Sequence, residues 1–373
     1  MSGAPHDRDA AHELDAAHEP RALTPARLEQ LAAHASTLGL ARLGAVRLDH
    51  PGFAPARTEL QRYLDEGRHG EMEFMARTRK LRQHPEGMLP GARTALVAAV
   101  PYRGEAGPIA RYAQSADYHT AMYERLGALA ERVAEVVPGA RCLVCVDTKP
   151  LLERAAAALA GLGFVGKSGC VIVPGLGSYV LLGALLCTAP LTGPDAVSEP
   201  AKVGWDACGQ CMRCLEACPT DAFLGPGRLD PRRCISYLTI EHRGPIEPAL
   251  ADAMGERIAG CDVCQEVCPY NAGREREARV PAAAWIDPPP GPERTADLVE
   301  LANARSGRYR AFVKHTALRR IPRRAMRRNA LLALGNRAGA LGEAEIEALE
   351  RAAGDEDPQV RGAAERARRR RGG

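Results

Sequence analysis

Long apolar stretches are missing from this 373-residue chain, and no run approaches the roughly twenty residues that a membrane-crossing helix needs. No cleavable leader or twin-arginine segment stands at the start, so the expectation is a soluble cytoplasmic protein. A large net charge is missing too. The formal total is only +4, although the basic residues crowd towards the C-terminus. Aromatic residues make up just 4%, a scarcity that excludes neither an enzyme nor a scaffold. A working dinucleotide fingerprint is also absent. Gly161-Leu-Gly163-Phe-Val-Gly166 matches it by letters, but a helix is expected before it and a strand after it. That is the reverse of the order that brings a pyrophosphate to a helix N-terminus, so these glycines read as a helix stop and a tight turn.

Cysteine is what the chain has in quantity, with twelve residues. Cys208-Gly-Gln-Cys211-Met-Arg-Cys214-Leu-Glu-Ala-Cys218-Pro219 is followed by Cys234 and by Cys261-Asp-Val-Cys264-Gln-Glu-Val-Cys268-Pro269. The first run has the ferredoxin spacing C-x2-C-x2-C-x3-C-P, in which three thiolates hold one cluster and the fourth belongs to its neighbour. The expected ligands are therefore Cys208, Cys211, Cys214 and Cys268 for one 4Fe–4S cluster, and Cys218, Cys234, Cys261 and Cys264 for a second. Zinc usually takes paired CxxC motifs and has no use for this crossed run. Disulfides would need an oxidising compartment, for which the chain carries no address. Two neighbouring clusters make a wire for single electrons. The other four cysteines read differently. Cys142 and Cys145 fall three apart in an expected strand and point to opposite faces; with Cys170 and Cys187 they are expected to be small core residues.

Residues 1–22 lack apolar periodicity and read as a disordered tail, and the six-residue spacing of His6, His12 and His18 gives them no common face for a metal. Thr24-Pro25 then caps a helix striped by Leu28, Leu31, Ala35 and Leu38 and stopped by Gly39. Strands are expected at 41–48, 94–102, 142–146, 170–173 and 179–186, with helices at 55–66, 118–137 and 152–162. This alternation predicts a layered α/β domain over residues 23–205, followed by a ferredoxin-like two-cluster module at 206–280. A proline-rich linker at 281–292 and a basic helical region complete residues 281–373.

Asp147 ends an expected strand and enters Thr148-Lys149-Pro150. A carboxyl group in the crevice beyond a strand end can act as a general acid if burial raises its pKa. The alternative is an Asx turn before a helix, with Arg154 as a surface partner, and the residues alone leave both open. Between Arg305 and Arg328 there are ten Lys or Arg and no acid, a density that points to nucleic-acid phosphates. The flanking segments Asn329–Asn336 and Ile346–Asp355 have the pattern of a HEAT-type α-hairpin repeat.

Several longer segments are more specific: His69-Gly-Glu-Met-Glu-Phe-Met75, Asp117-Tyr-His119, Val146-Asp147-Thr148, Gly161-Leu-Gly-Phe-Val-Gly-Lys167, Gly177-Ser178-Tyr179, Arg233-Cys-Ile-Ser-Tyr-Leu-Thr-Ile-Glu241 and Arg328-Asn-Ala-Leu-Leu-Ala-Leu-Gly-Asn336. With the cysteine pattern they make the chain resemble the epoxyqueuosine reductases from about Leu23 to Arg361. These are cobalamin-dependent enzymes that reduce epoxyqueuosine at the wobble base of tRNA anticodons to queuosine. The resemblance implies a nitroreductase-like cobalamin-binding α/β domain, two 4Fe–4S clusters feeding cobalamin, and a HEAT-like helical region that holds tRNA. It also implies Asp147 as proton donor, with Arg154, Tyr118 and His119 lining the same cavity, and Arg82, Lys167, Ser178 and Ser236, together with Asp147, near the corrin. Lys314, Arg319, Arg320, Arg323, Arg324, Arg327 and Arg328 are the expected tRNA contacts.

Cobalamin rests on the resemblance alone, since the D-x-H-x-x-G signature of other corrinoid proteins is absent and Met122 stands where its glycine would be. Lys149 departs from the family pattern. An ammonium close to Asp147 would oppose its acid role, so Lys149 is expected to face solvent or tRNA phosphate. A monomer with an unidentified low-potential electron donor completes the expectation. The alternatives are a reductive-dehalogenase-like corrinoid enzyme, and a non-catalytic iron–sulfur electron carrier or RNA-binding protein.

Overall fold

A computed structural model of the chain describes residues 20–192, 205–272 and 297–372. Most of the expected N-terminal tail, with its three histidines, and the proline-rich linker lie outside the described residues.

The centre is a four-stranded sheet of β1 (Arg42–Arg47), β2 (Thr94–Pro101), β3 (Cys142–Cys145) and β6 (Val180–Cys187), in the order β1-β2-β6-β3. Between β3 and β6 in sequence, β4 (Phe164–Val165) and β5 (Val171–Ile172) form a separate hairpin. Every pairing in the main sheet is antiparallel. The crevice rule for parallel sheets is thus not what places Asp147; it follows β3, the edge strand, directly. β2 is buried along its whole length, and its side chains alternate between two cores as a strand's period of two requires. Leu96, Ala98 and Val100 meet α1 (Pro25–Thr37) and α5 (Tyr118–Val136) through Leu31, Ala35, Met122, Leu126 and Leu129. Ala95, Val97 and Ala99 meet α6 (Glu153–Leu159) through Ala156, Ala157 and Leu159. Helices on both faces explain why β2 reads as an unbroken apolar run.

Local signals set the ends. Thr24 caps α1, its hydroxyl accepting from the Arg27 N–H at 3.4 Å, and Gly39 ends it at φ +76°. α6 is shorter than expected because the chain turns at Gly161, φ +79°, and the carbonyl of Ala160, the residue that follows it, lies on Gly44 of β1, where a Cβ would not fit. α2 (Ala54–Asp65), α3 (Glu73–Arg77) and α4 (Arg79–Gln83) lie between β1 and β2 in sequence, with α4 packed against α2 and α3.

The cysteine-rich module holds α7 (Arg213–Glu216) and α8 (Ile235–Ile240) among short turns. Its interior is not its own. Ile235, Leu238, Met254 and Ile258 share one core with Leu301, Met326, Leu331, Leu349 and Val360 of the C-terminal helices. Tyr309, Leu318 and Ile321, interleaved with the basic residues in sequence, are buried in that same core. The clamp is polar as well. Arg328 and Asn329, on the helix Arg323–Asn336, bond to the carbonyls of Leu238 and Thr239 near the end of α8. These are the acceptors that a helix C-terminus leaves without intrahelical donors.

Candidate active site and thiol quartets

Asp147 leaves β3 with φ +43°, a left-handed conformation that a non-glycine residue holds only when its surroundings enforce it. Enforcement comes from Glu153, the first residue of α6, whose Oε1 accepts the Asp147 backbone N–H at 3.0 Å. The Asp147 carboxylate remains 54% exposed, but its partners come from α5. Tyr118 donates its hydroxyl to Oδ2 at 3.3 Å, and His119 Nε2 faces the same oxygen at 3.4 Å. The other ring nitrogen of His119 lies 2.7 Å from Asp117 Oδ1, and Asp117 is the cap residue of α5. The Tyr118 and His119 rings stack at 4.0 Å.

A histidine with a carboxylate at each nitrogen is held as imidazolium, because ionised carboxylates only accept. Burial would lower the pKa of His119, but its bonds to Asp117 and Asp147 outweigh this and raise it to about 9. The same bond from His119 keeps Asp147 below the usual carboxylate range, against the opposing effect of burial. Burial, then the charge of Asp147, pushes the Tyr118 phenol well above its ordinary value. Burial, aided by the Asp147 charge, raises Glu153 to about 8. At neutral pH the site therefore stores protons on His119 and Glu153, around an ionised Asp147. Sequence reasoning missed Glu153; its signal was an acid in the first turn of the helix after the Asp147 loop.

Around this centre, Arg154 donates to the Gly169 carbonyl at 2.7 Å and Arg82 to the Leu151 carbonyl at 3.3 Å. Both guanidinium charges act on Glu153. Arg320 enters from the C-terminal helices. Its charge acts on Asp147, its side chain pairs with Glu241, and it lies over the Phe74 ring at 5.1 Å. The basic segment touches α5 directly, since the Asp117 N–H bonds to the His315 carbonyl at 2.8 Å.

The eight motif thiols fall into two groups. Cys214 lies within charge reach of Cys208, Cys211 and Cys268. Cys234 is within reach of Cys218, Cys261 of Cys234, and Cys264 of both Cys234 and Cys261. These are the two crossed sets that the spacing implies. Among the described residues no three His, Cys, Asp or Glu side chains converge enough to hold a single metal ion. Two open quartets of thiols instead fit 4Fe–4S cubanes, whose irons hold four thiolates apart. Cys170 is a correction to the sequence reading. Its thiol lies against that of Cys264, so it faces the second quartet instead of the sheet core, and the Arg154–Gly169 contact brings this quartet near the Asp147 recess. Cys145 and Cys187 are buried in the sheet, and Cys142 pairs with Cys187 across β3 and β6.

Other expected site residues are placed as follows. Ser178 Oγ donates to Gln265 Oε1 at 3.0 Å and accepts from Asn271 Nδ2 at 2.8 Å. Ser236, in the first turn of α8, lies close to the Cys234 sulfur. Lys167 reaches the loop between Cys208 and Cys211, where Nζ donates to the Gly209 carbonyl at 2.7 Å. Ser178 and Lys167 thus bond to the cysteine-rich module, to which Ser236 itself belongs. On the basic surface, Lys314, Arg319 and Arg324 are exposed. Arg323 bonds the Ala304 carbonyl, and Arg327 is paired with Asp355 at 2.6 Å.

Arg328 is not a surface residue and cannot meet phosphate. It is 1% exposed and donates to the carbonyls of Leu238, His242 and Gly244 and twice to Asn329 Oδ1. Those five bonds use every N–H a guanidinium has.

Residues 82–148 match the family described as "Epoxyqueuosine reductase QueG, DUF1730", and residues 207–271 match the 4Fe-4S double cluster binding domain. The epoxyqueuosine reductase of Gloeobacter violaceus is 37% identical over 325 residues, covering 84% of this chain and 98% of that one. The chain belongs to the epoxyqueuosine reductase family. A further member, from Escherichia coli K12, is 35% identical over 326 residues, covering 84% of this chain and 83% of its own. Among solved structures, the epoxyqueuosine reductase of Streptococcus thermophilus superposes with a TM-score of 0.74 at 27% identity, over 90% of this chain and 88% of that one. An epoxyqueuosine reductase solved with an epoxyqueuosine-modified tRNA stem loop shares the fold, with a TM-score of 0.70 at 24% identity over 92% of this chain and 98% of that one.

Proposed function

We propose that this protein reduces the epoxide of epoxyqueuosine at the anticodon wobble position of tRNA to the alkene of queuosine, taking up two electrons and two protons and releasing water. One observation carries the mechanism: the Asp117–His119–Asp147 chain of carboxylate, imidazolium and carboxylate stands near the second of two thiol quartets that fit 4Fe–4S clusters. Two single-electron carriers suit a two-electron reduction, and the departing oxygen needs an acid because unassisted hydroxide leaves poorly.

The chain's residues divide this work. Asp147 faces the substrate and passes on the proton that His119 stores, while Asp117 holds the imidazole ring by Nδ1. Tyr118 orients the Asp147 carboxylate through Oδ2. Glu153 fixes the backbone of the catalytic loop. Electrons reach the recess from the quartet of Cys218, Cys234, Cys261 and Cys264, which neighbours it through Cys170 and Arg154.

The recess fits a cobalamin. It is half open at Asp147, and the Arg82 guanidinium, which acts on Asp147 and Glu153 and spends only some of its N–H groups on Thr78 and the Leu151 carbonyl, has donors left that would suit a macrocycle rimmed with amides. When bound there, cobalamin supplies low-valent cobalt, a strong reductant and nucleophile. Because both ring nitrogens of His119 face carboxylates, His119 is not free to be a cobalt ligand. Lys314, Arg319 and Arg324 hold tRNA phosphates on a HEAT-like helical surface, and Arg320 of the same segment comes within charge reach of Asp147. The target base must unstack to reach the recess. The reading extends to a nitroreductase-like fold for the sheet domain and to a monomer supplied by a low-potential donor in the cytoplasm. No described helix is long and apolar enough to cross a membrane.

The test is anaerobic reconstitution with iron, sulfide and cobalamin, incubation with epoxyqueuosine-bearing tRNA and a strong reductant, and mass analysis of the digested nucleosides. Loss of one oxygen, dependent on cobalamin and strongly reduced in Asp147→Asn, is the expected result. Bound cobalamin with unchanged nucleoside would point to another substrate, and failure to bind any corrinoid would favour a carrier or RNA-binding role.

A further inference from the structure

Lys167 is a buried cation whose usual justification is missing. It is 8% exposed, and its backbone is held by the Gly227 N–H bonded to its carbonyl at 2.8 Å. Nζ donates to the Gly209 carbonyl at 2.7 Å and contacts Met212 Sδ at 3.5 Å. Among the described residues no carboxylate pairs with it. An ammonium has three donors, so one is left over. Burying such a charge without an opposite charge is costly. Both of its contacts lie in the loop from Cys208 to Cys214, and Gly209 itself turns there with φ +51°. The opposite charge is therefore to be sought in what that loop holds.

We infer that Lys167 is an electrostatic positioning residue for the first cluster, its ammonium fixing the Cys208–Cys211 loop and stabilising the reduced state of the 4Fe–4S cluster held by Cys208, Cys211, Cys214 and Cys268. Four thiolates leave such a cluster negative in both oxidation states, and one electron more negative after reduction. A fixed cation nearby therefore favours reduction and raises the potential, net charge and local hydrogen bonding being the protein's levers on cluster potential. In a weakly screened site its effect on the reduction equilibrium is about tenfold or more. For a one-electron couple, tenfold corresponds to about 59 mV. Lys167 sits on the Cys208–Cys211 loop, whereas Arg257 is the cation within charge reach of Cys261, so removing the Lys167 charge moves the first cluster's potential and leaves the second's.

This inference rests on the two-cluster reading, which is checked first: wild-type protein reconstituted with iron and sulfide should hold eight irons and show two reduced clusters by electron paramagnetic resonance. Failure there removes both readings. Redox titrations followed by the same signals then compare wild type, Lys167→Met and Lys167→Arg. The expected result is one midpoint lowered by about 59 mV or more in Lys167→Met, the other unmoved, and Lys167→Arg close to wild type. Unchanged midpoints in a Lys167→Met protein with eight irons would overturn the inference while leaving the two clusters standing. A second measurement needs no variant to assemble. The chain has only five lysines, so lysine labelled with nitrogen-15 in wild-type protein should give a hyperfine coupling to one reduced cluster; absence of that coupling would also overturn it.

Discussion

Arg328 and Arg324 lie four residues apart on one helix, and the structure gives them opposite fates. Burial lowers the Arg328 guanidinium from its ordinary value to about 10, a penalty of roughly 3 kcal/mol at about 1.36 kcal/mol per pKa unit. Its five hydrogen bonds must outweigh that. Arg328→Met removes the charge together with its penalty, but it strands the carbonyls of Leu238, His242 and Gly244 and the Asn329 Oδ1. At about 1–3 kcal/mol for each unsatisfied buried acceptor, and with methionine recovering part of the packing, the net loss is about 3–5 kcal/mol. A chain of this size should then melt about 5–10 °C lower. The α8 helix that directly follows Cys234 loses its clamp, so iron content should fall as well. Arg324→Ala should leave melting within about 1 °C, while the slope of log affinity for tRNA against log salt becomes shallower by about 0.7–0.9, the value of one phosphate contact. Differential scanning fluorimetry and binding titrations between 50 and 200 mM salt, roughly the range over which such slopes are read, make the comparison. If Arg328→Met melts like wild type and flattens the salt slope, the burial argument is wrong.

Three other outcomes follow from the site. The single-turnover rate should fall as pH rises through about 9, where His119 loses its proton, and His119→Gln should abolish that alkaline limb and slow the reaction about 10²–10⁴-fold at neutral pH; a wild-type profile flat to pH 10 would sink the stored-proton role. Glu153 is raised to about 8 in the folded protein, so its stabilising contribution is complete below its unfolded value near 4.5 and is lost as pH rises through about 8. Glu153→Gln should therefore gain on wild type in melting temperature between pH 5 and pH 9, and parallel curves would refute the assignment. Cys268→Ser should cost one cluster and Cys218→Ser the other, with distinct magnetic signals surviving; loss of the same signal from both variants would mean that the quartets are not crossed.

Local chemistry could be read from the chain because it is written in short-range spacing. Two residues between cysteines bring successive sulfurs to one cavity, a hydroxyl before proline starts a helix, and Gly39 stops one, whatever the rest of the molecule does. The antiparallel sheet order was not readable in this way, since pairing depends on which apolar faces meet, and β2, β3 and β6 look alike one at a time. Asp147 was found as a residue at a strand end, but its state was not. Its carboxyl is held low by a histidine 28 positions away, and the proton it was expected to carry sits on that histidine and on Glu153. The run of ten basic residues looked uniform because sequence records charge and not solvent contact. Folding turned Arg328 inward to close the end of α8, paired Arg327 with Asp355 and Arg320 with Glu241, and left Lys314, Arg319 and Arg324 facing water. Lys167 and Ser178 likewise bond to the cysteine-rich module because that module folds back onto the sheet domain. Ligand identity is a property of side-chain type and spacing, whereas protonation, burial and partner choice depend on long-range packing, which only the tertiary structure supplies.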